Sequence, residues 1–116
     1  MRIELIAFVT GAALACVIAP SVAQNTVVPV TIDNFVFQPA RVMVKVGTTV
    51  TWTNHDDIPH TVAAKDRAFK SKVMDTDASY SFTFSTPGEY SYFCSLHPHM
   101  VGTIVVEGTA GSGAPQ

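Results

Sequence analysis

The sequence contains little charge and only two cysteines. Charged residues make up 14% of the 116 residues, and acids and bases are scattered along the chain to give a net charge of −2. There is no basic stripe and no amphipathic helical pattern, so nothing indicates binding to nucleic acid or to a membrane surface. Helical segments between strands, which an α/β enzyme needs, are also absent. These absences leave a small chain of one domain.

The first residues have the features of an export signal. Arg2 is followed by an apolar run over residues 5–19 and then by a small-x-small cleavage site. We therefore expect residues 1–23 to be a cleaved signal peptide. The alternatives are a retained membrane anchor, for which the run is short, and a lipoprotein attached through Cys16. Without Cys16 the mature chain keeps only Cys94, and an unpaired cysteine in an exported protein indicates an intermolecular disulfide, a reactive thiol or a metal ligand.

Most of the mature chain alternates apolar and polar residues, as β-strands do. Strands are predicted at Val27–Ile32, Phe35–Phe37, Arg41–Val46, Thr48–Asn54, Tyr80–Ser85, Glu89–Phe93 and Gly102–Glu107. The pattern loosens from His55 to about Asp77, where Val62 and Phe69 are the expected core anchors. Residues 108–116 are small and polar and are predicted to be a disordered tail. Short strands without intervening helices predict an all-β fold, a small antiparallel sandwich.

Four side chains offer an unusual combination of metal donors. Cys94, His97 and Met100 lie within one seven-residue segment, and His60 lies upstream, just after the strand that contains Trp52. One thiolate, two imidazoles and one thioether form the ligand set of a blue-copper electron-transfer site, in which a His₂Cys plane has a weak axial Met. Taken singly, a buried Cys or Met is more often core filler. Taken together, the four favour a metal site.

We expect Cys94 to end a strand and the residues up to Met100 to form a loop around the ion. Zinc is the alternative metal, but its sites seldom contain a thioether, and thiolate with thioether favours copper. His55 is expected to be solvated and His99 to point away from the ion, so both stay outside the predicted ligand set.

These residues resemble the cupredoxins, the type 1 blue copper proteins, and most closely their amicyanin-like branch. The spacing Cys94-x₂-His97-x₂-Met100 is similar to the short ligand loop of that branch. Val50–Asn54 followed by Pro59-His60 is similar to the first-histidine region of the family, and Pro87–Tyr90 to the turn before the cysteine. The resemblance extends from about Val28 to Glu107, nearly the whole predicted domain.

The resemblance implies a Greek-key β-sandwich over residues 24–107 with one copper ion bound by His60, Cys94, His97 and Met100. It further implies shuttling of single electrons between periplasmic redox partner proteins, such as a dehydrogenase, a cytochrome or an oxidase. Nothing in the sequence demands more than a monomer, and we do not expect an enzyme. His97 would be the electron port, within an apolar patch that includes Leu96 and Pro98.

Two positions depart from the family pattern. Thr61 follows the first histidine, where many members carry an Asn that ties the two ligand loops together, and we expect the Thr61 hydroxyl to do part of this work. Leu96 stands where amicyanin has Pro, so the partner of amicyanin does not carry over to this chain.

Two other functions remain as alternatives. A periplasmic copper carrier or storage protein would use the same donors, although the chain lacks the Met-rich or His-rich tracts that favour this function. An oxidase or nitrite reductase would need an open metal position or a second metal site, and the four donors leave neither.

Overall fold

The structure, a computed structural model, describes residues 26–108, which form two facing β-sheets. The strands are Val27–Asp33 (β1), Val36–Gln38 (β2), Arg41–Lys45 (β3), Thr49–Asn54 (β4), Ala63–Ala64 (β5), Ser79–Thr83 (β6), Gly88–Cys94 (β7) and His97–Glu107 (β8). One sheet has the order β2-β1-β4-β6 and the other β3-β8-β7-β5. The predicted all-β sandwich is confirmed, and its non-sequential strand order fits the Greek-key arrangement that the resemblance implied.

The sandwich is not antiparallel throughout, which corrects one expectation. β1 pairs with β4, and β3 with β8, in parallel, while the remaining pairs are antiparallel. Parallel partners need a crossover rather than a tight turn, and here the chain visits the other sheet before it returns. Such long connections leave no trace in the alternation of apolar residues.

The predicted signal peptide lies outside the described residues, as does nearly all of the predicted tail. The boundaries 1–23, 24–107 and 108–116 therefore stay predictions. Between residues 26 and 108 no helix is long and apolar enough to cross a membrane.

The alternation also predicted which side chains fill the space between the sheets. Trp52 of β4 is fully buried and stacks against Phe69 and Tyr80, with ring centroids 5.5 and 5.7 Å away. The expected anchors Val62 and Phe69 are both buried. Each large apolar side chain removed from water contributes roughly 1.5–3 kcal/mol to stability, so this aromatic cluster supports the end of β4 from which the chain continues to His60.

Tyr92 fills the centre of the second sheet against Gly102, its register partner on β8. A Cβ atom at position 102 would overlap the Tyr92 ring, so only glycine leaves room for it. The Tyr92 hydroxyl is fully buried, and within residues 26–108 neither it nor the Trp52 indole N–H makes a hydrogen bond of good geometry, although Trp52 lies close enough to lower the pKa of Tyr92 in part. Burial raises the pKa of Tyr92 to about 12, because the phenolate would lie in an apolar interior.

The connection between β7 and β8 is shorter than the loop that we expected. Cys94 ends β7 as predicted, but β8 begins at His97 rather than after Met100, so the expected loop up to Met100 is wrong. Cys94 pairs with His97 and Phe93 pairs with Val101, which leaves residues 98–100 without register partners. The segment is a three-residue bulge in β8. Bulges redirect side chains beside functional sites.

The turn between β1 and β2 has an unusual backbone. Its two residues, Asn34 and Phe35, have φ angles of 55° and 62°. A two-residue hairpin turn of this kind requires the left-handed conformation at both residues. Asn adopts it readily, whereas a bulky Phe adopts it only at a cost. The left-handed region costs a residue with a side chain about 1–2 kcal/mol, so Phe35 is held in place by contacts elsewhere. The predicted strands left residues 33–34 as the turn between them, and the structure places the turn one residue later, at residues 34–35.

Candidate metal centre

The structure brings three of the four predicted ligand residues to one point. The donor atoms of His60, Cys94 and His97 all lie within 4.8 Å of one another. Cys94 Sγ is 3.8 Å from His60 Nδ1 and 3.7 Å from His97 Nδ1. With metal–sulfur and metal–nitrogen bonds of about 2.3 and 2.0 Å, two donors at 120° around one ion lie about 3.7 Å apart. Both sulfur–nitrogen distances thus match those of a trigonal ligand plane.

Each donor residue comes from a different element of the fold. Cys94 ends β7, His97 begins β8, and His60 lies in the segment before β5, where its backbone pairs with Met74. His60 and Cys94 are fully buried, whereas His97 is only half-buried. The site therefore reaches the surface through His97, as the resemblance implied.

Met100 is the last of the bulged residues of β8 and is 3% exposed, in the same core cluster as Cys94. Its burial is compatible with an axial thioether, and its role as a ligand stays a prediction. His55 and His99 are exposed and do not belong to the cluster of donors, as expected.

Thr61 connects the two ligand segments. Its backbone N–H donates a hydrogen bond to Cys94 Sγ at 3.3 Å. Its hydroxyl oxygen accepts a hydrogen bond from the Ser95 backbone N–H at 2.7 Å and lies 2.7 Å from Ser95 Oγ. The expectation that Thr61 would tie the loops together is confirmed. A donor aimed at a thiolate sulfur also stabilises its negative charge, which is one way a protein tunes a metal site.

Asp56 is a site residue that the sequence analysis missed. Its Oδ2 atom lies 2.8 Å from Nε2 of the fully buried His60. Burial alone would raise the pKa of Asp56, but the backbone N–H groups of Phe35 and Asn34, together with His60, lower it below its usual value. The tautomer with its N–H at Nε2 would donate to this carboxylate, and Nδ1, which lies 3.8 Å from Cys94 Sγ, would then be free to bind a metal.

Phe35 completes the surroundings of the two histidines. Its ring meets His60 and His97 edge-on, with centroids 5.3 and 5.1 Å away, and the two imidazoles are 5.0 Å apart. Phe35 itself is 41% exposed. It therefore lies between the imidazoles and solvent. Leu96, next to His97 in the chain, and Ile58, two residues before His60, are also exposed.

The donor set fits copper on chemical grounds. A trigonal plane of one thiolate and two imidazole nitrogens, with a thioether nearby, matches the preference of copper, whereas structural zinc sites are tetrahedral and closed by a fourth Cys, His or carboxylate. Within residues 26–108 no carboxylate or further imidazole joins the cluster of donors. The residues present therefore favour copper over zinc.

An all-β sandwich with a buried thiolate between two imidazoles at one end is the arrangement of a cupredoxin. The family model of the cupredoxin-like domain matches residues 5–106, and the chain belongs to this family.

Its relatives include two amicyanins. The chain is 38% identical over 96 residues to amicyanin from Paracoccus versutus, covering 78% of this chain and 72% of the relative. It is 36% identical over 110 residues to amicyanin-alpha from Methylorubrum extorquens, covering 89% and 92%. A solved Cu(I) form of an amicyanin point mutant superimposes with a TM-score of 0.66 at 37% identity, covering 75% of this chain and 87% of the other.

Proposed function

We propose that this protein is a one-electron carrier that binds a single type 1 copper ion through His60, Cys94, His97 and Met100. The observation that carries the proposal is the spacing of three donors, with Cys94 Sγ 3.7–3.8 Å from both imidazole Nδ1 atoms. When bound, copper supplies one-electron chemistry by alternating between Cu(I) and Cu(II). The amicyanin relatives, one of them solved in its Cu(I) form, support the same conclusion.

The residues of the chain keep this plane fixed. Thr61 holds Cys94 through its backbone N–H and holds Ser95 through its hydroxyl, so the thiolate has little freedom to move. The carboxylate of Asp56 keeps the His60 ring in one orientation and tautomer. A ligand set that does not move when its charge changes has little to reorganise, and this favours fast electron transfer over chemistry on a substrate.

His97 is the proposed entry point for electrons. It is the half-buried member of a set whose other imidazole and thiolate are buried. The partly exposed Phe35 ring contacts it, and the exposed Leu96 and Ile58 are close to the two histidines in the chain. A small apolar surface suits brief encounters between redox proteins. The partners are therefore redox proteins, and we propose that they meet a monomer of this chain in the periplasm after removal of residues 1–23.

A copper carrier or storage protein is the less favoured alternative. Delivery of a metal proceeds by exchange of ligands with the acceptor, which requires accessible donors. His60 and Cys94 are both fully buried, so such exchange at this site would need partial opening of the fold. Buried donors favour electron transfer, because an electron can pass to a nearby partner without exposure of the ligands.

The test is the visible and EPR spectrum of the purified protein after addition of Cu(II) and then ascorbate. We expect an intense blue thiolate-to-copper band with narrow hyperfine splitting that ascorbate bleaches reversibly. A pale species with broad splitting would contradict the proposed ligand set, and rapid loss of Cu(I) to an acceptor chelator with slow redox turnover would favour the carrier.

Replacement of His97 by alanine is predicted to change both the blue band and the self-exchange rate, because the ligand plane loses one donor. His99→Ala is the matched control, since His99 lies two residues away, is exposed and is outside the donor cluster. Equal spectra and self-exchange rates for the two variants would refute the role of His97.

A further inference from the structure

One carboxylate joins the buried histidine to a turn more than twenty residues away. Oδ1 of Asp56 accepts the backbone N–H of Asn34 at 2.6 Å, and Oδ2 accepts the backbone N–H of Phe35 at 2.9 Å. The same Oδ2 atom lies 2.8 Å from His60 Nε2. The side chain of Asp56 is only 12% exposed, so these three partners take up most of its accepting capacity.

The hydrogen bonds of Asp56 act on two residues whose backbone conformation is unfavourable. Asn34 and Phe35 both have positive φ, and Phe has no intrinsic preference for this conformation. Two adjacent N–H groups that converge on one anion form a stable concave site only while both residues keep this geometry. The carboxylate therefore stabilises the conformation that places the Phe35 ring against His60 and His97.

We infer that Asp56 is the positioning residue of this metal centre, one that orients the His60 imidazole and holds the Asn34–Phe35 turn so that Phe35 covers both histidine rings. The inference rests on the proposed function in that the oriented imidazole is taken to be a copper ligand. It goes beyond that function because it couples the buried His60 to Phe35, the side chain that covers the site. Loss of the Asp56 carboxylate is therefore expected to disturb both residues.

Two consequences separate this role from that of a surface charge. The first concerns the backbone, because without the carboxylate the amides of Asn34 and Phe35 lose their acceptor and open to water. The second concerns the metal, because an anion bonded to Nε2 makes the imidazole a stronger donor and favours the more positive oxidation state. Its removal shifts the reduction potential upward.

Asp56→Ala is the test, and Asp57→Ala is its matched control, since Asp57 is the next residue, is exposed and carries the same charge. Asp56→Asn is the milder second variant in case the alanine variant does not fold, because its amide keeps the shape and one of the two acceptor oxygens but carries no charge. Amide hydrogen exchange is measured by NMR on the metal-free protein, and the reduction potential is measured on the copper-loaded protein.

In Asp56→Ala we expect exchange of the Asn34 and Phe35 amides to accelerate roughly ten- to hundredfold, as loss of a hydrogen bond to a charged acceptor implies. We also expect a more positive potential than in Asp57→Ala. Unchanged amide exchange, or equal potentials in the two alanine variants, overturns the inference. If the wild-type protein binds no copper, the proposed function fails, and the inference that the Asp56-oriented His60 serves a metal fails with it; amide exchange then reports separately on the turn.

Discussion

The hydroxyl of Thr61 offers the sharpest test of how the ligand segments are held together. Thr61→Val keeps the β-branched shape and the backbone N–H that donates to Cys94 Sγ, and it removes only the hydroxyl. That hydroxyl makes two contacts of 2.7 Å with Ser95, one to its backbone N–H and one to its Oγ, and a longer one of 3.7 Å to Cys94 Sγ. The two short contacts with Ser95 make up most of what the substitution removes.

The expected magnitude follows from these two contacts. A hydrogen bond between neutral groups contributes about 1 kcal/mol, and Ser95 is exposed enough for water to replace part of the loss. We predict that the free energy of unfolding of the metal-free protein falls by about 1–2 kcal/mol. For a domain of this size that corresponds to a decrease in Tm of about 4–16 °C.

Urea denaturation of the metal-free protein, followed by Trp52 fluorescence, measures the effect. Thr103→Val is the control, because Thr103 is half-buried on β8 and its hydroxyl has no hydrogen-bond partner in the part of the chain that the structure describes. The same loss of stability in both variants would refute the reasoning, since it would mean that the cost comes from changing threonine to valine and not from the contact with Ser95.

Two further predictions concern the packing of Tyr92. Gly102→Ala is expected to destabilise the protein by about 1–3 kcal/mol in urea denaturation, because the new methyl group overlaps the Tyr92 ring in a filled core, and an unchanged midpoint would contradict this packing. Tyr92→Phe is expected to leave stability unchanged or raise it by up to about 1 kcal/mol, because it removes a buried hydroxyl that makes no hydrogen bond of good geometry within residues 26–108; a clear decrease would show that the hydroxyl is hydrogen-bonded.

The sequence predicted the strands other than β5, and it singled out the candidate donor residues, because both depend on local pattern. Val42 and Val44 of β3 are buried, as their alternation with Arg41, Met43 and Lys45 predicts. The identities of the four donors followed from residue type and spacing alone. The structure adds a distance test for His60, Cys94 and His97.

What the sequence did not predict depends on contacts between distant segments. The bulge at residues 98–100 is set by how β8 pairs with β7, not by the composition of the segment. Asp56 and Asp57 are alike in sequence, but only Asp56 meets the turn of Asn34 and Phe35, which lies 21–22 residues away. No alternation or motif distinguishes the two aspartates, so the missed residue required a three-dimensional structure.

The location of the donors makes the colour of the copper-loaded protein a probe of its folding. Cys94 and His97 face each other across the two-residue connection of β7 and β8, and this hairpin forms by local pairing. His60 joins them only when its segment docks, through the pairing of Ala63 with Phe93 and of His60 with Met74. The blue band therefore reports long-range docking at one end of the sandwich, while Trp52 fluorescence reports closure of the core. Coincidence of the two signals during refolding would identify a single cooperative transition.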